Sequence, residues 1–165
     1  GSWVFHAQDT PTITDQRLVS PSIVLPPADQ APITLQFWNY QSIEDSSGGC
    51  YDGGILEIST SGGTTWVQLT PTRDTDPYDG MVSSGYGNPL AGMNAWCGQP
   101  HTWREVVVEL DAYAGQTAQF RFRLGTDSSA GVDGWDIDDV VVQSCVPSEP
   151  GLLLRRIRER LRPRT

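Results

Sequence analysis

The chain has 165 residues with 20 acids and 11 bases, all arginine, and its formal charge of −9 is unevenly spread. Residues 151–165 hold six arginines (Arg155, Arg156, Arg158, Arg160, Arg162, Arg164) beside Glu159, a net +5, whereas residues 1–150 hold 19 acids and five arginines, a net −14. An acidic body argues against sequence-independent nucleic-acid binding, which needs clustered bases; no run reaches the ~20 apolar residues of a spanning helix; and 38% hydrophobic content with six tryptophans argues against disorder.

Taken in chain order, residues 1–146 read as β throughout. A first strand is expected at Trp3–Ala7 and a second at Arg17–Leu25, stopped by Pro26-Pro27. Ile33–Tyr40 alternates, with Ile33, Leu35 and Phe37 on one face and Thr34, Gln36 and Trp38 on the other. Gly54–Thr60 and Thr64–Leu69 are joined by Ser61-Gly62-Gly63, a hairpin signal because glycine supplies positive φ. A long loop follows over Pro71–Thr102, with a short strand near Met81–Ser83. Trp103–Leu110, Thr117–Leu124 and Trp135–Gln143 complete about eight strands. No window of the body has a helical period. Strand count, spacing and turn chemistry predict an all-β sandwich, a jelly roll.

The end of the chain differs. Residues 147–151 read as a linker, and Leu152–Leu161 carries the one helical pattern, with Leu154, Ile157 and Leu161 on one face and arginines on the other. Such a basic stretch suits an anionic membrane surface or an acidic partner, self-assembly included. The three cysteines, Cys50, Cys97 and Cys145, form no CxxC pair, which argues against structural zinc. They allow three single disulfides. Arginine without lysine, abundant Gly, Ser and Thr, and loop cysteines fit an extracytoplasmic protein. With no signal peptide, the chain reads as a mature or excised piece.

The chemistry-bearing residues are mostly acids. One group holds Asp9 and Asp15, a second Glu44, Asp45 and Asp52, and a third Asp127, Asp133, Asp136, Asp138 and Asp139. Like-charged carboxylates brought together need a proton or a cation. Hard oxygen donors from several loops are what Ca²⁺ takes, so a calcium site tying the N-terminal segment, the Glu44 loop and the last strand is expected. Solvated turn acids are the plainer alternative. No EF-hand loop, no Gly-x-Ser-x-Gly elbow and no phosphate-binding loop with its lysine is present, and no catalytic residue is assigned. A carbohydrate-binding alternative rests on Tyr78, Tyr86, Trp96, His101 and Trp103 in and beside the long loop; a hydrolase built on the acidic clusters ranks below it.

The string from Tyr51-Asp52-Gly53-Gly54 through Ile55-Leu56-Glu57-Ile58-Ser59 to Gly62-Gly63 and Trp66 resembles a hairpin of the MAM-like jelly-roll domains found beside immune-inhibitor-A-type proteases in secreted bacterial proteins. Asn88-Pro89-Leu90-Ala91-Gly92, Phe120-Arg121-Phe122-Arg123-Leu124-Gly125-Thr126-Asp127 and Gly134-Trp135-Asp136-Ile137-Asp138-Asp139-Val140 are similar to further motifs of that family. The resemblance covers about residues 1–146. It implies a secreted or cell-surface, accessory, non-catalytic domain that binds or adheres to a protein or glycan outside the cell. It also implies a Cys50–Cys97 disulfide and calcium held by Asp9, Glu44, Asp52, Asp138 and Asp139. It says nothing of the arginine-rich segment.

Overall fold

The structure, a computed structural model, describes residues 4–72 and 74–145, and the backbone of 159–160. Its strands are β1 (Phe5–Ala7), β2 (Thr14–Val19), β3 (Ile23–Val24), β4 (Ile33–Ser42), β5 (Asp45–Ser46), β6 (Gly49–Cys50), β7 (Gly53–Ser59), β8 (Val67–Gln68), β9 (Gly80–Met81), β10 (Asn94–Ala95), β11 (Arg104–Glu109), β12 (Thr117–Thr126), β13 (Gly134–Ser144) and β14 (Glu159–Arg160). One antiparallel sheet runs β1-β13-β4-β11, with β14 also on β13. The other runs β2-β12-β7-β8, with β3 also on β12. The two form a β-sandwich.

The alternating strands build the core as their pattern predicts. Ile33, Leu35 and Phe37 of β4 and Val106 and Val108 of β11 are buried. They meet Ala118, Phe120, Phe122 and Leu124 of β12 and Leu56 and Ile58 of β7. Phe37 sets its ring edge against both Phe122 and Trp96, at 5.0 and 5.7 Å between centroids. Each large apolar side chain so buried contributes about 1.5–3 kcal/mol.

Three expected elements differ in detail. The strand expected at Arg17–Leu25 is two strands, because Pro21 has no N–H to continue the ladder; both halves still pair with β12. Thr64–Trp66 belongs to the turn rather than to β8, since the Ser59 and Ser61 hydroxyls accept from the amides of Gly63 and Thr65. In β13 the alternation breaks: register shifts between Asp138 and Val141, and Asp139 has φ +49°. This bulge keeps Ile137, Val140 and Val142 in the core and turns Asp139 out to solvent, avoiding a carboxylate beside Ile137. The expected linker and most of the arginine-rich segment lie outside the described residues. At Glu159–Arg160, where a helix was expected, the backbone is extended and pairs with Val142 and Val141.

The long loop is pinned down rather than free. It contributes β9 and β10, and Cys50–Cys97 is a disulfide, while Cys145 is free and exposed. Trp96 exchanges two backbone hydrogen bonds with Gly54, and Gly98 exchanges two with Ile43, so this short segment bridges the sheets. The loop covers the Gly53 end of β7, while Arg121 covers Glu57 and the Ser61–Gly63 turn holds Ser59, and all seven residues of the strand are buried. Gly53 and Gly54 make that possible. A Cβ at Gly53 would lie 2.5 Å from the Ala95 Cβ, and one at Gly54 2.9 Å from the Trp135 ring.

Candidate metal centre

The ladder registers bring four loop acids to one end of the sandwich. Gly53 pairs with Gly125, so Asp52, just before β7, and Asp127, just after β12, are neighbours. Ala7 pairs with Trp135 and Ser42 with Gly134, which places Asp9 after β1 and Glu44 after β4 at the same end. Asp9 and Glu44 come from one sheet, Asp52 and Asp127 from the other.

Three of the carboxylates, Asp9, Asp52 and Asp127, are anchored through backbone amides, and one buried oxygen of each of the four acids is left over. The Glu44 amide donates to Asp9 Oδ2 at 2.9 Å. The Asp127 amide donates to Asp52 Oδ1 at 2.5 Å, and Asn88 Nδ2 adds a bond to the same oxygen at 3.3 Å. The Ser129 amide and hydroxyl donate to Asp127 Oδ1. The remaining oxygens, Asp9 Oδ1, Glu44 Oε2, Asp52 Oδ2 and Asp127 Oδ2, are buried without a hydrogen-bond partner. Asp52, Asp127 and Asp9 are 0%, 1% and 2% exposed. Ligand atoms of Glu44, Asp52 and Asp127 all lie within 4.8 Å of one another, and the Asp9 carboxylate lies beside that of Asp52.

The electrostatics follow from that geometry. Burial, then the Asp9 and Asp127 carboxylates, push the Asp52 carboxyl up to about 8 against the pull of its backbone hydrogen bond. Burial and the charges of Asp127, Asp9 and Asp45 push Glu44 up as well. Orphaned buried oxygens are costly, at about 1–3 kcal/mol each. The ligand atoms of Glu44, Asp52 and Asp127 converge closely enough for one hard divalent cation, with Asp9 beside Asp52, so the donor set is of the kind that fits Ca²⁺. Asn88 is a brace and not a donor, since its amide donates to Tyr51 O, Asp52 Oδ1 and Gly125 O and its Oδ1 accepts from Leu90 N.

Of the five expected ligands, the structure brings Asp9, Glu44 and Asp52 together. Asp138 and Asp139 are not with them. They sit four and five residues along β13 from Gly134, about 13 Å or more at ~3.3 Å per residue, on the sandwich's outer surface. Asp127 takes the place expected of them. Its signal was the register: an acid immediately after β12 must meet one immediately before its antiparallel partner β7.

The long-loop aromatics also divide. Trp96 is fully buried, and Tyr78 is half-buried, its hydroxyl accepting from Leu56 N and donating to Leu69 O. They fill the core under the loop, their rings 4.4 Å apart. Tyr86 is exposed and packs on Tyr51, Trp103 is exposed and packs on Tyr40, and His101 is exposed with φ +50°.

No protein-family model matches the chain, and the MAM-like resemblance is carried by its motifs alone. A curated protein, Bacillopeptidase F of Bacillus subtilis (strain 168), is 30% identical over 128 residues. The match takes in 78% of this chain but 7% of that protein, so the chain spans a small part of its relative's length. Such a short share is compatible with an accessory domain of a protease.

Proposed function

We propose that this domain is a non-catalytic, calcium-stabilised binding or assembly module of an extracellular bacterial protein, of the kind appended to exoproteases. The observation that carries the reading is the cluster of three buried carboxylates, Asp9, Asp52 and Asp127, with half-buried Glu44, each with one buried oxygen left unpartnered. Bound Ca²⁺ would supply the positive charge that the four acids lack, tying the loops after β1, β4 and β12 to the start of β7. The site's residues do structural work: Asp9 and Glu44 hold one sheet, Asp52 and Asp127 the other. The 7% share of a peptidase supports an appended role.

Thermal unfolding in excess Ca²⁺ and in EDTA tests this. Ligand at 100 times Kd stabilises by about 2.7 kcal/mol, which is a Tm rise of roughly 5–10 °C at this size. Terbium luminescence sensitised by nearby aromatics should rise with the same stoichiometry and vanish in Asp52→Asn/Asp127→Asn. A Tm that is the same in Ca²⁺ and EDTA overturns the reading.

A further inference from the structure

Three consecutive residues of the long loop, Trp96, Cys97 and Gly98, tie down the stretch that carries two acids of the cation site, Glu44 and Asp52. Gly98 exchanges backbone hydrogen bonds of 2.9 and 3.1 Å with Ile43, immediately before Glu44. Trp96 exchanges two of 2.9 Å with Gly54, two residues after Asp52. Between them, Cys97 is bonded covalently to Cys50, in the β5–β6 hairpin that links the two acids. The segment has anchors of its own: the Cys97 amide donates to Asp79 Oδ2 at 3.0 Å, and its carbonyl accepts from Gln41 Nε2. The other two acids take their positions from the same stretch. Asp9 accepts from the Glu44 amide, and the Asp127 amide donates to Asp52. The Asp52 amide in turn donates to Glu44 O at 3.1 Å. Mutual repulsion opposes this convergence of carboxylates, so it has to be imposed by the backbone that carries them. Among the described residues the disulfide is the one covalent cross-link, and it is the tie that chemistry can open.

We infer that residues 96–98 are a positioning clamp for the cation site, and that Cys50–Cys97 couples cation affinity to thiol–disulfide exchange. The inference rests on the calcium reading above. Opening is a two-electron step: a dithiol gives up two electrons and two protons, the S–S bond breaks to two thiols, and the reductant closes its own disulfide. Reduction releases the β5–β6 hairpin at Cys50, and Glu44 and Asp52 lose the fixed spacing at which one cation meets both. Cys50 and Cys97 are 0% and 4% exposed, so exchange requires the segment to lift first. Linkage makes the effect reciprocal: the factor that reduction takes from Ca²⁺ affinity is the factor by which bound Ca²⁺ disfavours reduction.

Two measurements on the full chain at one pH test this. Calorimetric titration with Ca²⁺ compares the oxidised chain, the dithiol-reduced chain and Cys50→Ala/Cys97→Ala; affinity should be about tenfold weaker in the last two. Equilibration in dithiol redox buffers, read by alkylation of Cys50 and Cys97, should place the reduction midpoint about 30 mV lower in saturating Ca²⁺ than in EDTA, which is that tenfold factor for a two-electron couple. Amide exchange in β4 and β12 should stay protected on reduction. Loss of that protection overturns the inference, because the disulfide then holds the fold rather than the site. Equal Ca²⁺ affinities or an unshifted midpoint overturn it as well and leave the calcium reading standing. An oxidised chain that binds no Ca²⁺ removes both.

Discussion

Two groups of buried or half-buried carboxylates lie on this sandwich, and they are solved in opposite ways. On the outer face of the second sheet, Arg17, Asp15, Arg123, Glu57 and Arg121 alternate in sign across β2, β12 and β7. Arg123 grips Asp15 with two bonds of 2.7 and 2.9 Å, Arg17 binds Asp15 at 2.6 Å, and Arg121 binds Glu57 at 2.6 Å beneath Trp66. That ladder is complete within the chain, and the Arg123 hydrogen bond holds the Asp15 carboxyl well below the usual carboxylate range. At the sandwich end, Asp9, Glu44, Asp52 and Asp127 have each other and backbone amides, and Asp52 is pushed the other way. The same side-chain type is thus fully paired in one place and left with unpartnered oxygens in the other.

Four experiments sharpen that contrast. The largest effect should come from Arg121→Ala, which strands the buried Glu57 charge; loss of one partner from such a pair costs about 3–5 kcal/mol, read by urea unfolding in Ca²⁺ and in EDTA alike. Asp52→Asn should change sign with conditions. In EDTA near neutral pH it removes the proton uptake that folding otherwise requires at this site and raises stability by about 1–2 kcal/mol, while in Ca²⁺ it lowers stability by deleting a ligand. A loss in both conditions would break the comparison.

The pH response is third. Without cation, folded Asp52 keeps its proton up to about pH 8, while in the unfolded chain it loses it near the ordinary carboxylate value. Between those values the folded state binds more protons, so the Tm in EDTA should fall as pH rises from about 4 to 8. Asp15 acts in reverse: its pairing stabilises above the ordinary carboxylate range and is lost as pH falls through its depressed value. Calcium should flatten the first trend, because it holds the carboxylates ionised. The smallest effect belongs to Arg17→Ala, below about 1 kcal/mol, because that arginine is half exposed and screened.

How much of this was legible in the sequence depended on how local the cause was. Period-two runs such as Ile33, Leu35, Phe37 and Ala118, Phe120, Phe122, Leu124 gave their strands and their buried faces directly. All four acids of the site stood out in the sequence as members of the acidic groups. Asp127 was not expected among the ligands, because its partner Asp52 is 75 residues away and the contact exists only once β7 and β12 are in register. Asp139 was placed among the ligands by the resemblance, and the bulge that turns it to solvent leaves no sure mark in composition. Trp96 and Tyr78 looked available because a loop of some thirty residues suggests solvent. The backbone bonds to Gly54 and Ile43 and the disulfide fold that loop inward instead.

The pairing of β1 with β13 has a mechanical consequence. β1 runs toward the carboxylate end and β13 runs away from it, so the start of β1 and the end of β13 lie together at the opposite end. Tension applied between Phe5 and Ser144 peels β1 from β13 rung by rung, over three residue pairs, rather than shearing the sheets. Asp9 lies two residues past the last rung. A cation clasped there would act as the stop on that zipper, and the force needed to open the domain would be set by calcium rather than by the short strand.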